Sequence, residues 1–311
     1  MPRPHLQRSD PDTDPGTDTG TGTNTGADVD TGTRPRVLVV GAAGKTGLAV
    51  SRALAARGVT VRALVRTDAR RSEVLRAGAA EVAVADLASG EGLDAAVSGV
   101  DAVYHLAPNV HPDEVGIARR VATAAVAAGV TRLVLHSVLH PHDRSMPHHL
   151  RKADAEEVVR AVVPSWTVLQ PAAYMQNLLP AARRGSLAVP YSPDAPFTFV
   201  DLEDVAQVAA TVLTGPGHER ATYELAGDLT SVRGLAAEAT AVLGHPVQAV
   251  GTDPAAWAAG PGRELPAQAR EDLLAMFAAY DRRGLAGNAG VLTHLLGRRP
   301  TTWAEVLRRE G

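Results

Sequence analysis

Short apolar runs alternate with helix-like segments through the first half of the chain. Residues 37–40 read Val-Leu-Val-Val, an uninterrupted run typical of a strand buried on both faces. Further strands are predicted at residues 60–65, 81–85, 102–106, 132–135 and 167–169. Helices are predicted between them at residues 46–57, 68–77, 112–128 and 152–161. This alternation predicts an α/β fold, a doubly wound parallel Rossmann sheet with right-handed crossovers.

The pattern becomes irregular after Pro171. Helices are predicted there at residues 205–213, 232–243, 267–280 and 302–310. We expect these segments to form a smaller, mostly helical substrate lobe over the carboxyl ends of the strands, where open α/β sheets bind ligands. The chain is thus expected to divide into a tail at 1–34, a dinucleotide-binding core at 35–171 and the substrate lobe at 172–311.

Composition narrows the classes of partner. Residues 9–33 are mostly Thr, Gly, Asp, Asn and Pro, so this segment buries too little surface to fold and is expected to be disordered. A formal net charge of -3 argues against nucleic acid or an anionic membrane as a bulk partner. The absence of cysteine excludes disulfides and thiolate metal sites, and no metal site is expected. With no secretory signal and no apolar run of about 20 residues, we expect a cytoplasmic protein.

A glycine-rich turn follows the first predicted strand. It carries Gly41, Gly44, Lys45, Thr46 and Gly47 in a G-x-x-G-x-x-G arrangement. Its first glycine would allow a tight turn, its second close approach of a pyrophosphate, and its third close packing of the next helix. The N–H groups of that helix N-terminus would then face the phosphates. A nucleotide-triphosphate loop would need glycine at position 39, where this chain has valine.

The end of the second strand favours NADP over NAD. NAD sites usually place an acidic residue there to bind the ribose 2′-hydroxyl, whereas this strand ends at Arg66, whose guanidinium can hold a 2′-phosphate. Lys45 could add a second positive charge, while nearby Asp68 keeps NAD as an alternative. By position alone, Asp86 is expected near the adenine and Ala107 where the chain passes the cofactor.

These motifs resemble the NmrA-like family of atypical short-chain dehydrogenase/reductases. The matching stretches are the glycine turn with its strand (39–47), Val-Arg-Ala-Leu-Val-Arg at 61–66, Trp-Thr-Val-Leu-Gln-Pro-Ala at 166–172, Phe-Val-Asp-Leu-Glu-Asp-Val-Ala at 199–206, and Leu-Gly-Arg-Arg-Pro at 296–300. The resemblance implies a Rossmann fold, a preference for NADP and a substrate cleft over the strand ends. It leaves activity open, because the family includes both reductases and regulators that bind the dinucleotide without turnover.

The catalytic region departs from the short-chain dehydrogenase pattern. Classical members use Tyr-x-x-x-Lys, in which the tyrosine donates a proton and the lysine holds the nicotinamide ribose. This chain keeps Lys152, one of its two lysines, but has His148 where the tyrosine would stand. His148 or Tyr174 is a candidate proton donor, and Ser137 a candidate for bonding a substrate oxygen. Glu156 is expected to pair with Lys152.

Several histidines lie near these candidates: His136, His140, His142, His148 and His149. Their spacing matches no zinc motif, and most are interpreted as exposed members of a polar loop. Three hypotheses for the function result. The first is an NADPH-dependent reductase of a small organic molecule such as a quinone, enone, imine or ketone. The others are a non-catalytic NADP(H)-binding redox sensor, and a dehydratase or epimerase that uses the cofactor without net turnover.

Overall fold

The apolar runs pair side by side into one parallel sheet. The computed structural model describes residues 34–310, so the predicted disordered tail lies outside the described residues except for Arg34. The strands are Arg36–Val39 (β1), Thr60–Val65 (β2), Glu81–Val84 (β3), Ala102–His105 (β4), Arg132–His136 (β5), Ser165–Pro171 (β6), Ala173–Tyr174 (β7), Ser186–Val189 (β8), Phe197–Val200 (β9), Ala221–Leu225 (β10), Leu229–Thr230 (β11) and Gln248–Gly251 (β12).

Seven of these strands form the central sheet. Their order is β10-β6-β5-β4-β1-β2-β3, and every neighbouring pair is parallel. The direction of winding reverses between β1 and β4, which opens a crevice at their carboxyl ends. The predicted doubly wound Rossmann sheet is confirmed.

Helices cover both faces of the sheet. They are Lys45–Ala56 (α1), Arg71–Arg76 (α2), Leu93–Val97 (α3), Glu114–Ala127 (α4), Pro147–Val162 (α5), Leu179–Arg183 (α6), Leu202–Thr214 (α7), Val232–Leu243 (α8), Pro254–Ala259 (α9), Ala267–Arg283 (α10), Gly290–Leu296 (α11) and Trp303–Glu310 (α12). None of those within residues 34–310 is long and apolar enough to cross a membrane.

Alternate residues of the buried strands serve two separate cores, because successive side chains of a strand point to opposite faces. Val37 and Val39 of β1 pack with residues of α1 and α7 on one face. Leu38 of β1 and Val103 of β4 pack with α3, α4 and α5 on the other. A continuous apolar run is therefore what a strand covered on both faces requires.

One strand and one helix from the later half of the chain belong to this core. Strand β10 pairs with β6 as the seventh strand, and α7 packs against α1. The remaining short strands form a three-stranded sheet, β11-β9-β7, and a parallel pair, β12-β8. Residues after 171 therefore build part of the central sheet as well. That the region after residue 171 also binds the substrate stays a prediction.

Helix α5 begins earlier than predicted. It starts at Pro147 rather than at residue 152, with proline in its first turn, where a missing N–H costs no helical hydrogen bond. Because of this start, His148 lies in the first turn of α5 and is buried.

The last two sequence motifs are joined by one buried carboxylate. Asp204 of α7 is buried and accepts hydrogen bonds from the Arg298 guanidinium at 2.6 Å, the Thr301 backbone N–H at 2.6 Å and the Thr301 hydroxyl at 2.9 Å. The segment that follows α11 is thereby anchored to the helix that covers the sheet.

This anchor predicts a specific loss of stability. Asp204→Ala would leave the half-buried donors of Thr301 without an acceptor, so we expect the free energy of unfolding to fall by about 1 to 2 kcal/mol. Glu203→Ala on the same helix is the control, because Glu203 makes only a half-exposed ion pair with Arg52. Its loss should stay below about 0.5 kcal/mol. Urea unfolding measures both, and equal losses would contradict the role of Asp204.

Candidate active site

The glycine turn brings three backbone segments into direct contact. Gly41 has φ +75°, and a Cβ there would lie 2.8 Å from the Leu106 carbonyl oxygen that follows β4. A Cβ on Gly47 would lie 2.2 Å from the Gly41 carbonyl oxygen. Both positions exclude a side chain, so the first turn of α1 sits directly against the loop after β1.

Gly44 differs from the other two glycines. It is the N-cap of α1, with φ -80°, a conformation open to any residue. A Cβ there would meet only the Gly41 carbonyl oxygen, at an ordinary contact distance of 3.5 Å. The N–H groups of Lys45, Thr46 and Gly47 open the helix and have no carbonyl one turn earlier within it. The turn therefore presents a bare, electropositive backbone surface that fits a diphosphate.

Positive side chains lie beside this turn. Arg66, at the end of β2, is exposed, and its guanidinium takes part in none of the hydrogen bonds found within residues 34–310. Arg70 donates to the Ala43 carbonyl oxygen at 2.9 Å, which places a second guanidinium against the glycine turn. Asp68, the residue that kept NAD as an alternative, is paired with Arg71 at 2.7 Å.

The remaining predicted cofactor contacts lie at the expected strand ends. Asp86 is exposed and caps its own turn, accepting from the backbone N–H of Ala88 at 2.7 Å. Ala107 is buried beyond β4. Their contacts with adenine and cofactor stay predictions.

Lys152 has a different partner from the one expected. Its ammonium bonds the carboxylate of Glu114 on α4 at 2.6 Å, and both side chains are nearly buried. The expected pairing with Glu156 is wrong, because Glu156 points toward the sheet and pairs with Arg160 at 2.8 Å. The pair with Glu114 joins α4 to α5 near the carboxyl ends of β4 and β5.

Ser137 also forms a hydrogen bond within the protein. Its hydroxyl donates to Glu156, and Gln170 of β6 donates to the same carboxylate at 2.9 Å. Ser137 is buried. A role toward a substrate oxygen stays a prediction.

The interpretation of the histidines as a mostly exposed polar loop is wrong for three of them. His136, His148 and His149 are buried, whereas His140 and His142 are exposed. The reason is the early start of α5, which turns two of them inward. Burial lowers the pKa of His148 to about 3, helped by the neighbouring charges of His149, Lys152 and Arg151.

Tyr174 lies at the centre of the polar groups near the glycine turn. Its hydroxyl bonds His136 Nε2 at 2.7 Å, and His136 Nδ1 bonds the Tyr104 hydroxyl at 2.5 Å. The ammonium of Lys45 lies 5.9 Å from the centre of the Tyr174 ring and also bonds the Asn177 side chain. The site thus joins residues from β4, β5, β7 and α1.

Two members of this chain of bonds, Tyr104 and His136, were missed as site residues. Their one signal in the sequence is a polar atom at the end of an otherwise apolar strand, and His105 beside Tyr104 shares it. A polar group in such a run needs a partner once it is buried. The partners lie 32 and 38 residues apart in the chain, so only the strand order reveals them.

Comparison with known proteins identifies the family of this chain. The model of the NmrA-like family matches residues 33–307. The chain belongs to the NmrA-like family. It is 32% identical over 277 residues to an NAD(P)H azoreductase from Xenophilus azovorans, covering 86% of this chain and 96% of that protein. The resemblance inferred from the motifs is confirmed.

Two further similar proteins carry names of oxidation-reduction enzymes. It is 36% identical over 221 residues to a (4-alkanoyl-5-oxo-2,5-dihydrofuran-3-yl)methyl phosphate reductase from Streptomyces griseus, with 68% of this chain and 75% of that protein covered. The crystal structure of an NADPH-dependent quinone oxidoreductase from Escherichia coli, in complex with NADPH, superposes with a TM-score of 0.76 at 26% identity. That comparison covers 88% of this chain and 99% of the other.

Proposed function

We propose that this protein is an NADPH-dependent reductase of a small organic molecule such as a quinone, enone, imine or ketone. The observation that carries the proposal is the bare N-terminus of α1, where Gly44 leaves room for a diphosphate in front of three backbone N–H groups. The reductase activities named for three relatives support the type of reaction.

The charges around the turn support NADP as the cofactor. Arg66 is exposed with its guanidinium available, and Arg70 lies against the turn. A planar guanidinium can bond a 2′-phosphate through two N–H groups at once, which a ribose hydroxyl cannot match. Asp68, which would repel that phosphate, is neutralised by Arg71.

Once bound, the cofactor would supply a hydride, and the chain would supply position and a proton. Of the four side chains predicted for catalysis, Tyr174 is the best supported donor, because it lies beside Lys45 and near Thr46 at the start of α1. Lys152 and Ser137 are held by bonds to Glu114 and Glu156, and His148 is buried. We propose that these three shape the site around the nicotinamide end of the cofactor.

The first test is acceptor-dependent oxidation of NADPH. We expect menadione, an azo dye or a cyclic enone to accelerate the loss of NADPH absorbance in the presence of the protein. If none of the three acceptors does so, yet NADP⁺ and NADPH bind with different affinities, the redox-sensor hypothesis replaces the reductase.

The second test concerns the choice of cofactor. Arg66→Ala should weaken NADPH binding by about tenfold or more, equivalent to about 1.4 kcal/mol, because the 2′-phosphate loses its guanidinium partner. NADH binding should change by less than about twofold, since NADH carries no such phosphate. Arg76→Ala, which removes an exposed cation from α2, is the control. An equal loss for both cofactors would contradict the assignment of Arg66 to the phosphate.

A further inference from the structure

Two hydrogen bonds link Tyr104 to His136 and His136 to Tyr174. Burial decides which partner donates in each of them. Tyr104 is fully buried, and its hydroxyl has His136 Nδ1 as its partner. If Tyr104 accepted a hydrogen from Nδ1, its own hydrogen would be buried without an acceptor, at a cost of about 1 to 3 kcal/mol. Tyr104 therefore donates, and Nδ1 accepts.

The direction of that bond decides where His136 carries its hydrogen. Burial, together with the smaller effect of the nearby ammonium of Lys152, lowers the pKa of His136 to about 3. The ring is neutral at physiological pH and holds one hydrogen. With Nδ1 occupied as an acceptor, that hydrogen is on Nε2, which donates to the Tyr174 hydroxyl oxygen at 2.7 Å.

Tyr174 is thereby left with a free hydrogen. Its oxygen already accepts from His136, so its own O–H points to another partner. Two polar groups of α1 lie near this side chain. The Lys45 ammonium is 5.9 Å from the ring centre, and the Thr46 hydroxyl bonds the phenol oxygen and lowers the pKa of Tyr174. Burial acts more strongly and holds that pKa above its ordinary value, so the hydroxyl stays protonated until an acceptor arrives.

Resting on the proposed reductase function, we propose that Tyr104 and His136 are positioning residues that aim the Tyr174 proton at the reduced substrate. Hydride from a bound NADPH would add to the carbonyl or imine carbon, or to the ring carbon conjugated with a quinone carbonyl, and push an electron pair onto the oxygen or nitrogen. The O–H bond of Tyr174 then breaks, and its proton bonds that atom. The His136 Nε2–H bond stabilises the phenolate, which recovers a proton from water after the product leaves.

This arrangement takes the place of the missing tyrosine of the Tyr-x-x-x-Lys pattern. The role of Tyr104 resembles that of the third member of a catalytic triad, which holds an imidazole in one tautomer. Here the imidazole presents a hydrogen to a phenol rather than removing one. The donor accordingly comes from β7 and not from α5.

The tautomer can be measured without turnover. In protein labelled with ¹⁵N-histidine, two-bond ¹⁵N–¹H correlations should show His136 neutral, with its hydrogen on Nε2, between about pH 5 and pH 8. Tyr104→Phe should introduce the Nδ1–H form. Tyr223→Phe is the matched control, because Tyr223 bonds another histidine, His218, at 3.0 Å, and it should leave His136 unchanged. An Nδ1–H or doubly protonated ring in the unaltered protein would overturn the proposal.

The kinetic arm uses NADPH and menadione. Tyr174→Phe should lower kcat by about a hundredfold or more, the range of a lost general acid. Tyr104→Phe should lower it by about tenfold and raise the solvent deuterium isotope effect, because proton transfer then limits the rate more; simple loss of packing would not cause this change. His136→Gln, which keeps an N–H donor, should retain more activity than His136→Leu at equal thermal stability.

The outcomes of the two arms separate the two proposals. No menadione-dependent NADPH oxidation by the unaltered protein would contradict the reductase function while leaving the tautomer result standing. Full activity in Tyr174→Phe, or equal activity of the two His136 variants, would overturn the positioning role while leaving the reductase function intact.

Discussion

The rest of the site depends on the backbone contact between the first turn of α1 and the loop after β1. A Cβ at Gly47 would sit 2.2 Å from the Gly41 carbonyl oxygen, so this contact exists only because both residues lack side chains. It sets the start of α1 beside the crevice where the sheet reverses its winding. Lys45 and Thr46, at the start of α1, then lie near Tyr174 of β7.

The later half of the chain holds that arrangement in place. Asp201, ahead of α7, is buried, accepts two hydrogen bonds from Arg309 of α12 at 2.8 and 2.9 Å, and is also bonded by Gln176 at 2.6 Å. Gln176 lies two residues after Tyr174. A side chain at the end of the chain is therefore coupled through one carboxylate to the segment that carries the proposed proton donor, while Asp204 anchors the stretch after α11 in a similar way.

Patterns within short stretches of sequence predicted the buried strands and the glycine turn, but not the side-chain contacts of the candidate active site. Valine and leucine runs predict buried strands, and the glycine spacing predicts the turn, because both signals lie within a few adjacent residues. The start of α5 was missed because two consecutive histidines after a proline do not resemble a helix. The bonds of His136 depend on which strands become neighbours, and Lys152 found its partner 38 residues earlier, on α4. Such pairings follow from strand order and helix packing, which no short stretch of sequence contains.

The most direct test of the central claim is calorimetric titration of NADPH into the unaltered protein, Gly44→Ala and Gly44→Val. The backbone at Gly44 suits any residue and has room for a Cβ, so the alanine variant should fold with only the small loss of stability expected at a helix N-cap, and the unfolding temperature of both variants is measured beside the titration. We predict that affinity falls with side-chain size, by more than about tenfold for valine, because the side chain would occupy the place of the diphosphate. Equal affinity for all three proteins, or no heat of binding in the parent, would contradict the account.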